Sequence, residues 1–144
     1  PVEFTFGGSI GVPIPPEIAA NPRVKILGVV PRKQVEALYR EADVFLFPTL
    51  SDAFGLTQLE CMAWRLPLIA SRHCGDVVRP GINGLRLSEV SAASINEAVR
   101  FCLNHPAELS RWSAGCQIPP DCTMAAFGQA LLEIEERLFP AHAS

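Results

Sequence analysis

Two observations predict an α/β fold of the doubly wound kind. Apolar segments of strand length alternate with segments whose apolar residues recur at helical spacing. The strand-like segments "VKILGVV" (24–30), "DVFLFPT" (43–49) and "PLIAS" (67–71) are mostly or wholly apolar rather than alternating. Strands read this way when both faces of a parallel sheet are covered by helices.

The elements follow in order. "VEFTFGGS" (2–9) alternates apolar and polar residues before a glycine pair and reads as a strand. The connector "GVPIPPEIAANPR" is too rich in proline for a long helix. After the strand at 24–30, "RKQVEALYREA" sets Val35, Leu38, Tyr39 and Ala42 on one helical face. The strand at 43–49 stops at a proline. A helix from Thr57 to about Arg65 follows, with Leu59, Met62 and Ala63 on one side, and Pro67 ends it. "PLIAS" and "NGLRL" (83–87) are short strands. "SINEAVRFCLNH" places Ile95, Ala98, Val99, Cys102 and Leu103 on one helical face, and Pro106 opens another helix. The last helix carries Phe127, Ala130, Leu131, Ile134 and Leu138 as one stripe.

The 144 residues are expected to form a single domain, a strand–helix core over 1–90 and C-terminal helices over 91–144. With 49% hydrophobic residues, 19% charged residues and a net charge of −3, the composition is that of a globular protein. It offers no electrostatic footprint for nucleic acid. No apolar run is long enough to span a bilayer, and no signal peptide is visible. Five cysteines without a C-x-x-C pair read as free thiols in a reducing compartment, with no metal site. The expected location is the cytoplasm, with a peripheral membrane position open to the full-length protein.

In doubly wound sheets, ligands bind outside the carboxyl ends of the strands. The candidate loops are therefore 7–11, 29–33, 49–57 and 71–76. In "SDAFGLTQLE", Asp52 and Glu60 flank a glycine turn with seven residues between them. Gly55 lets backbone approach a ligand, and the amides of Gly55, Leu56 and Thr57 would open a helix toward an anion. Glu60 has an alternative role, because Thr57-x-x-Glu60 fits a capping box. Asp52 alone reads as a solvated loop acid.

Together these segments resemble a family. "ADVFLFPTLSDAFGLTQLECMAWRLPLIAS" is similar to the "P-S-x-x-E-G-F-G-L-P-x-x-E-A-M-A" and "G-x-P-V-V-A-S" segments of retaining, family-4-type glycosyltransferases. "VKILGVVPRKQVEALYREADV" and "VVRPGINGLRL" resemble the segments that flank them in that family, so the likeness runs from Val2 to about Cys102. The resemblance implies a Rossmann-like parallel sheet with helices on both faces, the C-terminal, nucleotide-sugar donor-binding half of a GT-B fold. It implies a hexosyltransferase-type enzyme that moves a sugar from a nucleotide-diphosphate sugar to an acceptor with retention of configuration. Glu60 would accept hydrogen bonds from ribose hydroxyls. The backbone of Phe54, Gly55, Leu56 and Thr57 would meet the diphosphate or donor sugar, and Asp52 would contact the transferred sugar. Val29 and Val30 would line the nucleobase pocket, and Gly8, with Gly7, matches the glycine-bearing end of the preceding strand.

No metal or other cofactor is expected, and there is no Asp-x-Asp pair to hold a divalent ion. The family's opening strand and its G-R…K-G loop have no counterpart before Val2, so the first strand is expected to be missing; Arg32 and Lys33 lie on a different loop. A glycan, lipid or small-molecule acceptor would bind an N-terminal domain not included in these residues, and the 144-residue chain by itself is expected to be silent. The sequence departs from the pattern at Asp52, usually glutamate, at Ala53, usually glycine, and in "RHCGD" (72–76), which is short and lacks paired glycines. Two other readings are therefore carried: a non-catalytic nucleotide-binding or interaction module with a degenerate site, and a nucleotide-sugar epimerase on the same fold. His73 has no motif behind it.

Overall fold

The computed structural model describes residues 2–140. The chain divides into two compact units between Glu41 and Ala42.

In the first unit, β1 (Phe4–Gly7) and β2 (Val24–Gly28) pair in parallel, with Phe4 opposite Val24 and Phe6 opposite Ile26. The connector between them holds a single four-residue helix, α1 (Pro16–Ala19), with proline in its first turn. There the absent N–H costs nothing and the fixed φ suits a helix. α2 (Arg32–Glu41) follows β2 with Val35, Leu38 and Tyr39 as its half-buried residues. The burial expected on both faces of the strand at 24–30 is not found: β2 alternates, with Val24 and Ile26 half-buried and Leu27 45% exposed. Two strands and two helices are too few to close a core around a strand.

The second unit has a closed core. β3 (Phe45–Phe47), β4 (Leu68–Ala70) and β5 (Gly84–Arg86) form a parallel sheet in that order. Phe45 stands opposite Leu68, and Leu68 opposite Gly84. Because side chains alternate along a strand, central β4 sends Leu68 and Ala70 to one face and Ile69 to the other, all at most 1% exposed. On the first face Leu68 and Ala70 pack with Met62 of α3 (Thr57–Ala63), Val77, Val78 and Cys116. On the second, Ile69 packs with Leu87, with Ala98 and Cys102 of α4 (Ala92–Asn104), and with Trp112 of α5 (Pro106–Gly115). Helices thus cover both faces of this sheet, as the continuous apolar strands predict.

Helix ends follow local chemistry. Ser91 caps α4 by accepting from the Ser94 amide at 3.2 Å, and Thr123 does the same for α6 (Met124–Leu138) through Ala126. α6 keeps the apolar stripe that its sequence predicts, yet it has no buried residue; Phe127 and Leu131 are both more than half exposed. α3 ends in a Schellman motif: Leu66 N–H donates to the Cys61 carbonyl and Arg65 N–H to that of Met62, each at 3.0 Å. The motif needs a left-handed residue after the cap, and Arg65 supplies it at φ 55°. A side chain there costs about 1 kcal/mol that glycine does not. Arg65→Gly is therefore expected to raise stability by about 1 kcal/mol, read from the denaturation midpoint at constant m-value.

Candidate functional site

The loops at 49–57 and 71–76 follow β3 and β4 at the carboxyl edge of the second unit's sheet. The structure ties them into one assembly. Asp52 N–H donates to the His73 carbonyl and Gly75 N–H to that of Phe54, both at 2.9 Å. The Ser71 hydroxyl donates to the Thr49 carbonyl at 2.7 Å and accepts from His73 N–H at 3.2 Å. Ser71 is buried, and its bond to Thr49 holds the two loop entrances together.

Gly55 is the sharpest point of the assembly. Its φ is 73°, and a Cβ there would lie 2.6 Å from the Phe47 ring and 3.0 Å from Gln58 Nε2. Only glycine accepts both the conformation and the close approach. The turn leads directly into α3, whose cap position is taken by Leu56 in helical conformation with no side-chain cap bond. The capping box allowed by Thr57-x-x-Glu60 is therefore not formed: Thr57 is already inside the helix rather than at its cap. Among the described residues, the N–H groups of Gly55, Leu56 and Thr57 have no protein acceptor.

The two acids sit on either side of this turn. Asp52 is exposed, and its Oδ1 accepts from Phe54 N–H at 3.2 Å, which shapes the loop from within. Glu60 lies in the first turn of α3 and is exposed. The face of α3 turned to the core differs from the expected one: Gln58, Cys61 and Met62 are buried, Leu59 is half-buried and Ala63 is exposed. Leu59 does still pack against the first core cluster.

Beside the tied loops lies a recess of about 150 Å³, lined by Ser71, Arg72, Cys74, Gly75 and Arg86 among others. Arg86 is held there by an ion pair with Asp76 and by a 2.8 Å bond to the Val78 carbonyl. Arg72 and His73 are exposed. Burial pushes the Cys74 thiol up from its usual range, which keeps it protonated and a poor nucleophile at neutral pH. Among the described residues, no group of three or more His, Cys, Asp or Glu is placed to hold a metal ion, and no helix is long and apolar enough to cross a membrane.

The remaining expected residues lie in the first unit, together at the carboxyl edge of its strand pair. Gly8 follows β1 at φ 139° and donates to the Gly28 carbonyl at 2.7 Å. Val29 and Val30 follow β2; Val29 is 78% exposed and Val30 is half-buried. Residues that the sequence reading passed over are Gln58, Ser71 and Gly75, whose roles lie in joining the loops. Gly75 could be suspected from sequence, since a glycine in a loop that leaves a strand often marks a close approach. A Cβ on it would lie 2.7 Å from Phe54.

Parallel strands with helices on both faces and loop-built sites at their carboxyl edges define a Rossmann-like domain of the kind found in GT-B glycosyltransferases. The chain superposes on sucrose-phosphate synthase from Thermosynechococcus elongatus with a TM-score of 0.74 and 25% identity, over 87% of this chain and 32% of that one. It shares its fold with Anabaena HepE, solved in complex with UDP, at a TM-score of 0.69 and 20% identity over 80% of this chain and 32% of that one. In sequence it is 29% identical over 135 residues to D-inositol 3-phosphate glycosyltransferase from Mycolicibacterium vanbaalenii, covering 84% of this chain and 29% of the relative. Residues 2–105 match the family model of glycosyl transferases group 1, and the chain belongs to that family. It spans about a third or less of the length of these relatives.

Proposed function

We propose that this chain is the donor half of a retaining glycosyltransferase, the part that binds a nucleotide-diphosphate sugar while an acceptor is held by a further domain. One observation carries the reading: between Asp52 and Glu60, the Gly55 turn leaves the amides of Gly55, Leu56 and Thr57 without acceptors among the described residues at the start of α3.

As the glycosidic bond breaks, negative charge builds on the diphosphate leaving group. Fixed amides aimed at that charge stabilise the transition state more than the ground state. Their alignment with α3 adds the dipole of the helix start. Glu60 offers two carboxylate oxygens to the ribose hydroxyls. Asp52 faces the transferred sugar with the oxygen that Phe54 does not use. In this scheme backbone amides stabilise the leaving group without a metal, and the family resemblance assigns the loop at Val29 and Val30 to the nucleobase. UDP and UDP-glucose, each held by HepE, are the first donors to try, and the cytoplasm is the expected place of work. The acceptor, whether glycan, lipid or small molecule, is chosen outside this chain.

The reading is tested on the full-length protein with a thermal-shift panel of nucleoside diphosphates. One base should stabilise it by about 2.7 kcal/mol at a hundredfold excess over Kd. Glu60→Gln keeps the length of the side chain and one carbonyl oxygen, and its unliganded stability is measured beside the affinity so that a structural role of Glu60 is read separately. Affinity for that nucleotide should fall about tenfold, the loss of a charge-assisted hydrogen bond to ribose. No stabilisation by any nucleoside diphosphate would sink the donor-site reading. Unchanged affinity in Glu60→Gln would remove Glu60 from it.

A further inference from the structure

Gln58 is completely buried, an uncommon place for an amide side chain. It stands on the second residue of α3, and its Nε2 donates to two carbonyls from different loops: Phe54 at 2.8 Å and Gly75 at 3.3 Å. The Phe54 carbonyl also accepts from Gly75 N–H at 2.9 Å. One side-chain nitrogen thus clamps the residue before the Gly55 turn to the tip of the neighbouring loop.

The clamp requires a double donor. Both partners are carbonyl oxygens, so a carboxylate would face them with like charge, and an apolar side chain would leave two buried acceptors unmet. The orientation of the amide follows from the same fact, since its oxygen could bond neither carbonyl. That oxygen, Oε1, is buried without a partner among the described residues. A buried unmet acceptor is a standing cost, which the fold tolerates while the nitrogen holds both loops. Space is shaped around the nitrogen too, for a Cβ on Gly55 would come within 3.0 Å of it.

We propose that Gln58 is a positioning residue of the donor site. By pinning the Phe54 carbonyl, it sets the peptide plane that leads into Gly55 and hence the direction of the Gly55, Leu56 and Thr57 amides toward a diphosphate. It touches no substrate and acts through those amides. This inference rests on the donor-site reading, and its effect falls on the phosphates rather than on the base or ribose.

The experiment uses the full-length protein, the nucleoside diphosphate that stabilises it best, and the matching nucleoside without phosphates. If no diphosphate binds wild type, the donor reading fails before Gln58 is reached. Where one binds, Gln58→Met, which keeps length and apolar volume but donates nothing, should lose about tenfold in diphosphate affinity. Nucleoside affinity should stay within about twofold, a split that general loosening of the fold would not produce. Equal loss for both ligands, or none for either, would overturn the proposal. Should Gln58→Met fail to fold, wild type still decides through exchange of its glutamine side-chain amide protons with solvent. The Gln58 protons should exchange far more slowly than those of Gln34 or Gln129, and more slowly still with diphosphate but not with nucleoside. A Gln58 amide whose exchange ignores the diphosphate would overturn it equally.

Discussion

Gly84→Ala is expected to lower stability by at least about 3 kcal/mol, the upper range for overpacking a close-packed interior, and Tm by on the order of 10 °C. The reason is a backbone contact. Gly84 opens β5 directly opposite Leu68 of β4, and a Cβ on it would stand 1.8 Å from the Leu68 carbonyl oxygen and 2.8 Å from its carbon. No rotamer change relieves a clash with main chain. Either the strands separate or β5 turns over, and both outcomes break the ladder that holds the sheet edge. Leu68 is wholly buried and its N–H donates to the Asn83 carbonyl at 3.1 Å, so displacement travels into the core. Asn83, 2% exposed, would move with it. Its side chain accepts from Arg79 N–H at 2.7 Å and donates to the Val77 carbonyl at 3.0 Å, closing the loop that enters β5. Chemical denaturation of wild type and variant measures the loss. A midpoint shift worth less than about 1 kcal/mol would mean that the strand pair yields more readily than its geometry implies.

The strands and the helices that cover them were legible because continuous apolar runs and helical spacing both report burial directly. β3, β4 and β5 fall inside the expected segments, and α5 opens at Pro106 as expected. What sequence pattern cannot report is which partner a face will find. The apolar stripe of α6 is real and lies open, while β2, apolar in composition, is covered only in alternation. The same limit applies within the site. The Gly55 turn could be read, since glycine between a strand and a helix has a local reason to be there. Gln58 could not, because a polar residue in the first turn of a helix reads as solvated until a second loop, seventeen residues on, brings it a carbonyl. The capping box failed for a local reason: Leu56 takes helical conformation, so the helix begins one residue earlier than Thr57 would need as its cap. Arg65 runs the other way. The glycine that opens "G-x-P-V-V-A-S" falls on this position, and the structure gives Arg65 the left-handed backbone that glycine takes most readily.

Gly55→Ala should lower the affinity of the full-length protein for its nucleoside diphosphate by at least about a hundredfold, the loss of two charge-assisted hydrogen bonds. Two costs meet at this residue. Its φ of 73° is worth roughly 1–2 kcal/mol to any side chain, and a Cβ would press on Phe47 at 2.6 Å. Phe47 is held in turn, stacked on Phe45 within the first core cluster, so the turn is the part that yields. As it yields, the Gly55, Leu56 and Thr57 amides lose their common direction, and the Phe54 carbonyl pulls away from Gln58. Gly81→Ala separates strain from function. Gly81 has almost the same backbone, φ 77°, but open space where its Cβ would go, and it lies in the turn before β5 rather than at the site. That variant should lose about 1 kcal/mol of stability and keep nucleotide affinity within about twofold of wild type. If the two alanine variants lost affinity alike, the effect of Gly55 would be backbone strain spreading through the unit. If Gly55→Ala alone lost it, the turn itself would be the part of the chain that meets phosphate.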